Sequence, residues 1–166
     1  MEQNFNFDRI QRILKSEKYR KYVKKNEKAE RERKFCRHGM VHFLDVARIA
    51  RIINDEENLC VSTELIYAAA LVHDIGRFRQ YEDNIPHEKA GAMLAREILT
   101  ESGFDENETE EICQAVLSHR DSLSKERKDL TGLLYRADKL SRPCFFCKEE
   151  ENCNWKDDKK NLDLLY

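Results

Sequence analysis

Apolar residues recur at helical spacing along almost the whole chain, and no sustained stretch alternates with a period of two. Ile10, Ile13 and Leu14, then Tyr19, Tyr22 and Val23, mark one or two N-terminal helices. Met40, Val41, Leu44, Val46, Ala47, Ile49 and Ala50 mark a strongly apolar helix over roughly 38–54. Ser62 or Thr63 can cap the next helix, which carries Leu65, Ile66, Ala69, Val72 and Ile75. Pro86 suits the first turn of a helix that runs through Ile98 and ends at Ser102-Gly103. Asp105 and Glu108 have the spacing of a capping box for a helix reaching His119. A last helix carries Leu130, Leu134 and Leu140, and Pro143 stops it. The pattern predicts an all-α bundle of about six to eight helices. At 166 residues there is room for one core, so residues 1–143 are read as one domain and 144–166 as a Cys-rich tail packed on it.

Composition narrows the class. No window approaches ~18 consecutive apolar residues, so no membrane span is expected. The N-terminus has neither a basic stretch nor an apolar run of the secretory kind, which suggests a reducing, cytoplasmic setting. Net charge is −2, which does not suit an electrostatic nucleic-acid binder. The charge is uneven: residues 1–40 hold 13 Lys/Arg against 6 Asp/Glu, and the rest hold 17 against 26. Such a basic segment ordinarily reports a solvated helix face; the functional reading is a basic lip beside an anionic substrate site.

Histidines and acids fall where apolar residues are expected. His73 follows Ile66 by seven and Ala69 by four, with Asp74 beside it in Ala70-Leu-Val-His-Asp-Ile-Gly76. His42 lies within Val41-His-Phe-Leu-Asp-Val-Ala, and His119 follows Ile112, Ala115 and Val116 on one helix face. Asp138 follows Leu130 and Leu134, and His87 sits just after Pro86. Any one of these could be a core histidine hydrogen-bonded to a carbonyl. Several together, on different helices, match the way helical bundles build metal sites in their interiors. Mixed imidazole and carboxylate donors suit Fe, Mn, Co, Ni or Zn better than Mg alone.

A His in His-x-x-x-Val-Ala, then His-Asp-Ile-Gly, then a distal Ala-Asp resembles the HD superfamily of metal-dependent phosphohydrolases over about residues 36–142. The resemblance implies a helical HD fold with His42, His73, Asp74 and Asp138 as metal ligands. Two further histidines, His87 and His119, match the subgroup that holds two adjacent metals and is similar to bacterial diadenosine tetraphosphate hydrolases. It implies that Asp74 bridges or orients the attacking water. His38 precedes His42 by four and is read as a helix-start or supporting residue.

Phosphate chemistry needs cations for the substrate's charge. Arg77 follows Asp74 by three, close to the same face if the helix continues, and is read as catalytic with Asp74 and as a phosphate contact. Lys139 and Arg142, close after Asp138, are the other candidate phosphate contacts. No Gly-rich phosphate loop and no Gly-x-Ser-x-Gly elbow is present.

Cys144, Cys147 and Cys153 form a compact Cys-x2-Cys-x5-Cys set. Cys36 lies six residues before His42 and Cys144 six after Asp138, so all four thiols are expected at one end of the bundle. A four-thiolate site would take a 4Fe–4S cluster or Zn and staple the tail to the domain. The spacing is similar to the cysteine staple of certain RecB-like nucleases, without their fold. The expected activity is hydrolysis of a nucleotide or related phosphate ester by a metal-activated water, with one or two divalent ions. The alternative is a metal- or nucleotide-binding regulatory or redox-sensing module without turnover.

Overall fold

The computed structural model describes residues 7–166. They form eight α-helices and three short 3-10 segments, with no strand among the described residues. The helices are α1 (Asp8–Lys15), α2 (Glu17–Ala29), α3 (Met40–Glu56), α4 (Thr63–Val72), α5 (Arg77–Asp83), α6 (His87–Ser102), α7 (Glu106–Ser118) and α8 (Leu130–Leu140). No helix among them is long and apolar enough to cross a membrane.

The central element is α4, whose Ala68, Ala69, Ala70, Leu71 and Val72 are fully buried. A helix that is apolar on every side belongs inside the core. Its alanines let neighbours approach closely: α3, α7, α8, α1 and α6 all pack on it. α3 supplies Phe43, Val46, Ala47 and Ile53 to the same core, and α6, α7 and α8 supply Ile98, Leu99, Ile112, Val116 and Leu133.

Local signals set several boundaries. Asp105 and Glu108 form the reciprocal capping box expected at the start of α7. Gly103 ends α6 at φ 94°, a left-handed conformation that favours glycine. Pro86 is the residue before α6 rather than its first. Asp129 caps α8 through the Gly132 amide.

One stretch differs from the sequence expectation. α4 stops at Val72, and residues 73–76 form a turn that leads into a separate helix, α5. The reason is steric. A Cβ on Gly76 would stand 2.3 Å from the Gly91 nitrogen and 2.7 Å from the His87 carbonyl oxygen. The turn therefore presses backbone to backbone against α6, and Gly91 in turn lies against the His73 carbonyl. This contact brings His87 up to the His73-Asp74 pair.

The basic N-terminal helices are part of the packed body. Arg9 on α1 pairs with Glu64 of α4 and Glu108 of α7, each at 2.5 Å. Tyr19 on α2 is buried and donates to the Leu71 carbonyl at 3.1 Å. Lys18 reaches Glu97 and Glu101 on α6. After Arg142 no residue is buried. Asn161 fastens the tail by donating to the carbonyls of Lys139 and Arg142 at 2.8 and 2.9 Å, at the C-terminal end of α8.

Candidate metal centre

Six buried side chains from distant parts of the chain meet at one point. His42 comes from α3, His73 and Asp74 from the turn after α4, His87 from the first position of α6, His119 from the end of α7, and Asp138 from α8. Their donor atoms fall into two close groups, one of His42, His73, Asp74 and Asp138, the other of Asp74, His87 and His119.

Asp74 belongs to both groups, and its two oxygens divide between them. Oδ2 lies 3.3 Å from His73 Nε2 and 3.8 Å from His42 Nε2. Oδ1 lies 3.3 Å from His87 Nε2 and 3.6 Å from His119 Nε2. Asp138 Oδ1 closes the first group at 3.3 Å from His42 Nε2 and 3.8 Å from His73 Nε2. Donor bonds of about 2.1 Å to one tetrahedral ion set donor separations of roughly 3.4 Å, so these spacings suit a metal.

Each of the four imidazoles is held through its other nitrogen. His73 Nδ1 bonds the Ala70 carbonyl at 2.7 Å, His119 Nδ1 the Val116 carbonyl at 2.5 Å, His87 Nδ1 the Gln80 amide oxygen at 2.6 Å and His42 Nδ1 the Ser141 hydroxyl at 3.2 Å. A carbonyl or amide oxygen accepts, so Nδ1 carries the hydrogen and Nε2 presents a lone pair to the centre. Asp74, 1% exposed, has no hydrogen bond to either carboxylate oxygen, and His73 Nε2 and His87 Nε2 have none either. Arg77 Nε comes within 3.2 Å of Asp74 Oδ2, close enough for an ion pair but not aligned as a hydrogen bond. Buried carboxylate oxygens without donors are costly. The buried His/Asp groups can hold divalent metal, which removes that cost.

The electrostatics agree. Burial holds the His42 imidazole down at about 3 and that of His87 at about 2, keeping both neutral. Burial opposes charge on His73 too, but Asp74 and Asp138 outweigh it and raise this imidazole to about 9. Burial works against ionised Asp74, yet Arg77 and His73 hold its carboxyl well below the usual range. Lys139 and His42 do the same for Asp138. Two carboxylates thus stay ionised in the core; without a metal they favour a proton on His73 Nε2, and an ion binding there would displace it.

The remaining sequence candidates take distinct places. Lys139 Nζ sits 2.5 Å from Asp138 Oδ2 and faces a cleft. Arg142 is 5% exposed, and its Nη2 donates to Asp138 Oδ1 and to His42 Nε2, both at 3.0 Å. It stands against the candidate ligands at the edge of the cleft. Arg77 opens α5 instead of continuing the helix of Asp74, and still reaches it. His38 lies ahead of α3, pairs with Glu30 at 2.7 Å, and keeps its Nε2 3.9 Å from Asp74 Oδ2, outside both donor groups. The four cysteines line the far part of the same cleft, but no three of their sulfurs lie mutually within 4.8 Å among the described residues.

Asn26 was not a sequence candidate. From α2 it donates to the Asp74 main-chain carbonyl and accepts from the Phe78 amide, both at 2.8 Å. Its signal is a polar side chain on the buried stripe that includes Tyr19 and Val23.

The donor set opens on a cleft of about 1540 Å3, large beside ordinary small-molecule sites of roughly 300–1,000 Å3. Eleven Lys and Arg line it against six Asp and Glu, a balance that favours an anionic occupant. Arg33, Lys34 and Arg37 contribute, so part of the basic N-terminal segment lines the cleft, while the lysines of α2 lie outside it.

The model of the HD domain family matches residues 39–142, a span that takes in all six donors. The chain belongs to the HD domain family. An uncharacterized protein of Clostridium beijerinckii is 48% identical to this HD domain protein over 159 residues, which covers 96% of this chain and 99% of that one. No solved structure matches it. Proteins of this family are typically metal-dependent phosphohydrolases, and the His/Asp groups supply the donors that such chemistry requires.

Proposed function

We propose that this HD domain protein hydrolyses a nucleotide or a related small phosphate ester, using two divalent ions that share Asp74. The observation that carries this reading is the division of the Asp74 oxygens between two donor groups, with both oxygens buried and free of hydrogen bonds. His42, His73, Asp74 and Asp138 would hold one ion, and Asp74, His87 and His119 the other. Metal ions so placed lower the pKa of water and neutralise charge on the phosphoryl oxygens.

The rest is work for the chain. Ala70, Val116, Gln80 and Ser141 keep the imidazoles aimed, which avoids reorganisation at the moment of reaction. Arg77 and Lys139 lie at the cleft wall beside Asp74 and Asp138, positioned to bind phosphate oxygens. Arg142 must release His42 Nε2 before that nitrogen takes a metal, and its guanidinium is then free for the substrate. The size of the cleft and its basic lining suit an occupant with several negative charges, such as a nucleoside polyphosphate.

The test is phosphate release from nucleoside mono-, di- and triphosphates, dinucleoside polyphosphates, cyclic dinucleotides and simple phosphomonoesters, each with Mn, Fe, Co or Mg. Turnover of one class, absent in Asp74→Ala, is the expected result. Silence on every substrate by a metal-loaded protein would shift the reading to a binding module.

A further inference from the structure

The tail from Pro143 to Tyr166 presents a problem that the His/Asp centre does not solve. None of its residues is buried, and its regular structure amounts to two 3-10 turns. Phe146 is 86% exposed, and Leu164 and Leu165 face solvent as well. A segment without a core is held by cross-links or metals rather than by packing. Nevertheless the tail follows a defined path along the cleft, where Trp155, Lys159 and Lys160 join the lining.

Four cysteines lie along that path. Cys144, Cys147 and Cys153 come from the tail, and Cys36 comes from the segment before α3. All four are free and half-buried. All four line the same cleft, and burial, with the neighbouring thiols adding to it, makes Cys144 harder to ionise. The turn after Cys144, closed by the Cys147 amide on the Cys144 carbonyl at 3.1 Å, sets two of them side by side. Cys36 is fixed by Arg33, which donates to its carbonyl at 2.8 Å. The other two cysteines are elsewhere: Cys60 is exposed and Cys113 is buried near the Ala92 carbonyl.

We infer that Cys36, Cys144, Cys147 and Cys153 hold a second metal centre, a zinc ion or an iron–sulfur cluster, that staples the tail to the entrance of α3. Four thiolates are a ligand set for either, and each gives up its proton on binding. No three of the sulfurs come mutually within 4.8 Å among the described residues, so binding would draw the Cys144–Cys147 turn and Cys36 together around the metal. The centre lies beside the His/Asp site but shares no residue with it.

Protein purified without oxygen should contain either zinc that depends on these cysteines, or iron and acid-labile sulfide in equal amounts with a broad visible absorption that bleaches under dithionite. Sulfide tells a cluster from zinc and from iron at the His/Asp site, because mononuclear ions bring none. Cys147→Ser should lose essentially all of that metal, with its sulfide where present, while Cys60→Ser and Asp74→Ala keep it. Helical circular dichroism should be unchanged in Cys147→Ser, since the tail adds nothing to the core, and its tail should become open to trypsin. A protein with no cysteine-dependent metal, or one whose metal and sulfide are fully retained in Cys147→Ser, would overturn the centre.

Discussion

The side-chain amide of Asn26 donates to the main-chain carbonyl of Asp74 at 2.8 Å from 48 residues away, and the same side chain accepts the amide of Phe78. The turn that carries His73 and Asp74 is thereby clamped from α2. The Asp74 carbonyl has a second partner in the Arg77 amide, but the Phe78 amide, in the first turn of α5, has no helical acceptor. Asn26→Ala leaves that amide buried and unpaired, at about 1–3 kcal/mol. Thermal unfolding should move down by roughly 4–8 °C for a loss near 2 kcal/mol in a chain of this size. Activity should fall with kcat reduced more than KM, because Asn26 touches no substrate.

Gly76 sets the spacing between the two donor groups. Gly76→Ala puts a methyl group against the backbone of Gly91 and His87, which cannot yield as a flexible side chain would. A loss of about 3 kcal/mol is expected from overpacking. Displacement of α6 would carry His87 away from Asp74, so the variant should bind less metal even at temperatures where it remains folded. Full metal content in a folded Gly76→Ala protein would contradict this role.

The contribution of Arg9 to stability should fade at low pH. Its hydrogen bonds hold the Glu108 carboxyl below the ordinary range, and the capping box adds to this. A carboxylate whose value is lowered on folding stabilises the fold above the unfolded value of about 4.3 and loses that contribution as pH falls through the lowered value. Both side chains are about a quarter exposed, so solvent screening limits the pair to about 1 kcal/mol. Arg9→Ala should lower the unfolding midpoint at pH 7 by a few degrees and have less effect near pH 3. An equal difference at both values would show that α1 is held by packing alone.

Much of this site is legible in the sequence because burial writes itself into the pattern. His42, His73, His119 and Asp138 occupy positions that helical spacing assigns to the interior, where an ionisable group needs a partner. Pro86 and the capping box at Asp105 fix where His87 and His119 enter. What the pattern does not carry is pairing across the fold. Nothing local links Asn26 to Asp74, Gln80 to His87, or Ser141 to His42. The break at residues 73–76 is also hidden, since Ile75 continues an apolar spacing while the turn's close packing partner, Gly91, lies on α6. Arg142, four residues after Asp138, bonds His42 and Asp138 while lining the cleft, a pairing with α3 that the sequence does not carry.

The shared role of Asp74 is tested most directly by counting metal. Metal-free protein is titrated with Mn2+, which thiolates bind poorly, and bound metal per chain is measured for the parent, His87→Ala and Asp74→Ala. With two donor groups joined at Asp74, the parent should bind two ions, His87→Ala one, and Asp74→Ala neither tightly. Two ions retained in Asp74→Ala, or a single ion in the parent that His87→Ala leaves unchanged, would contradict a centre built around that carboxylate.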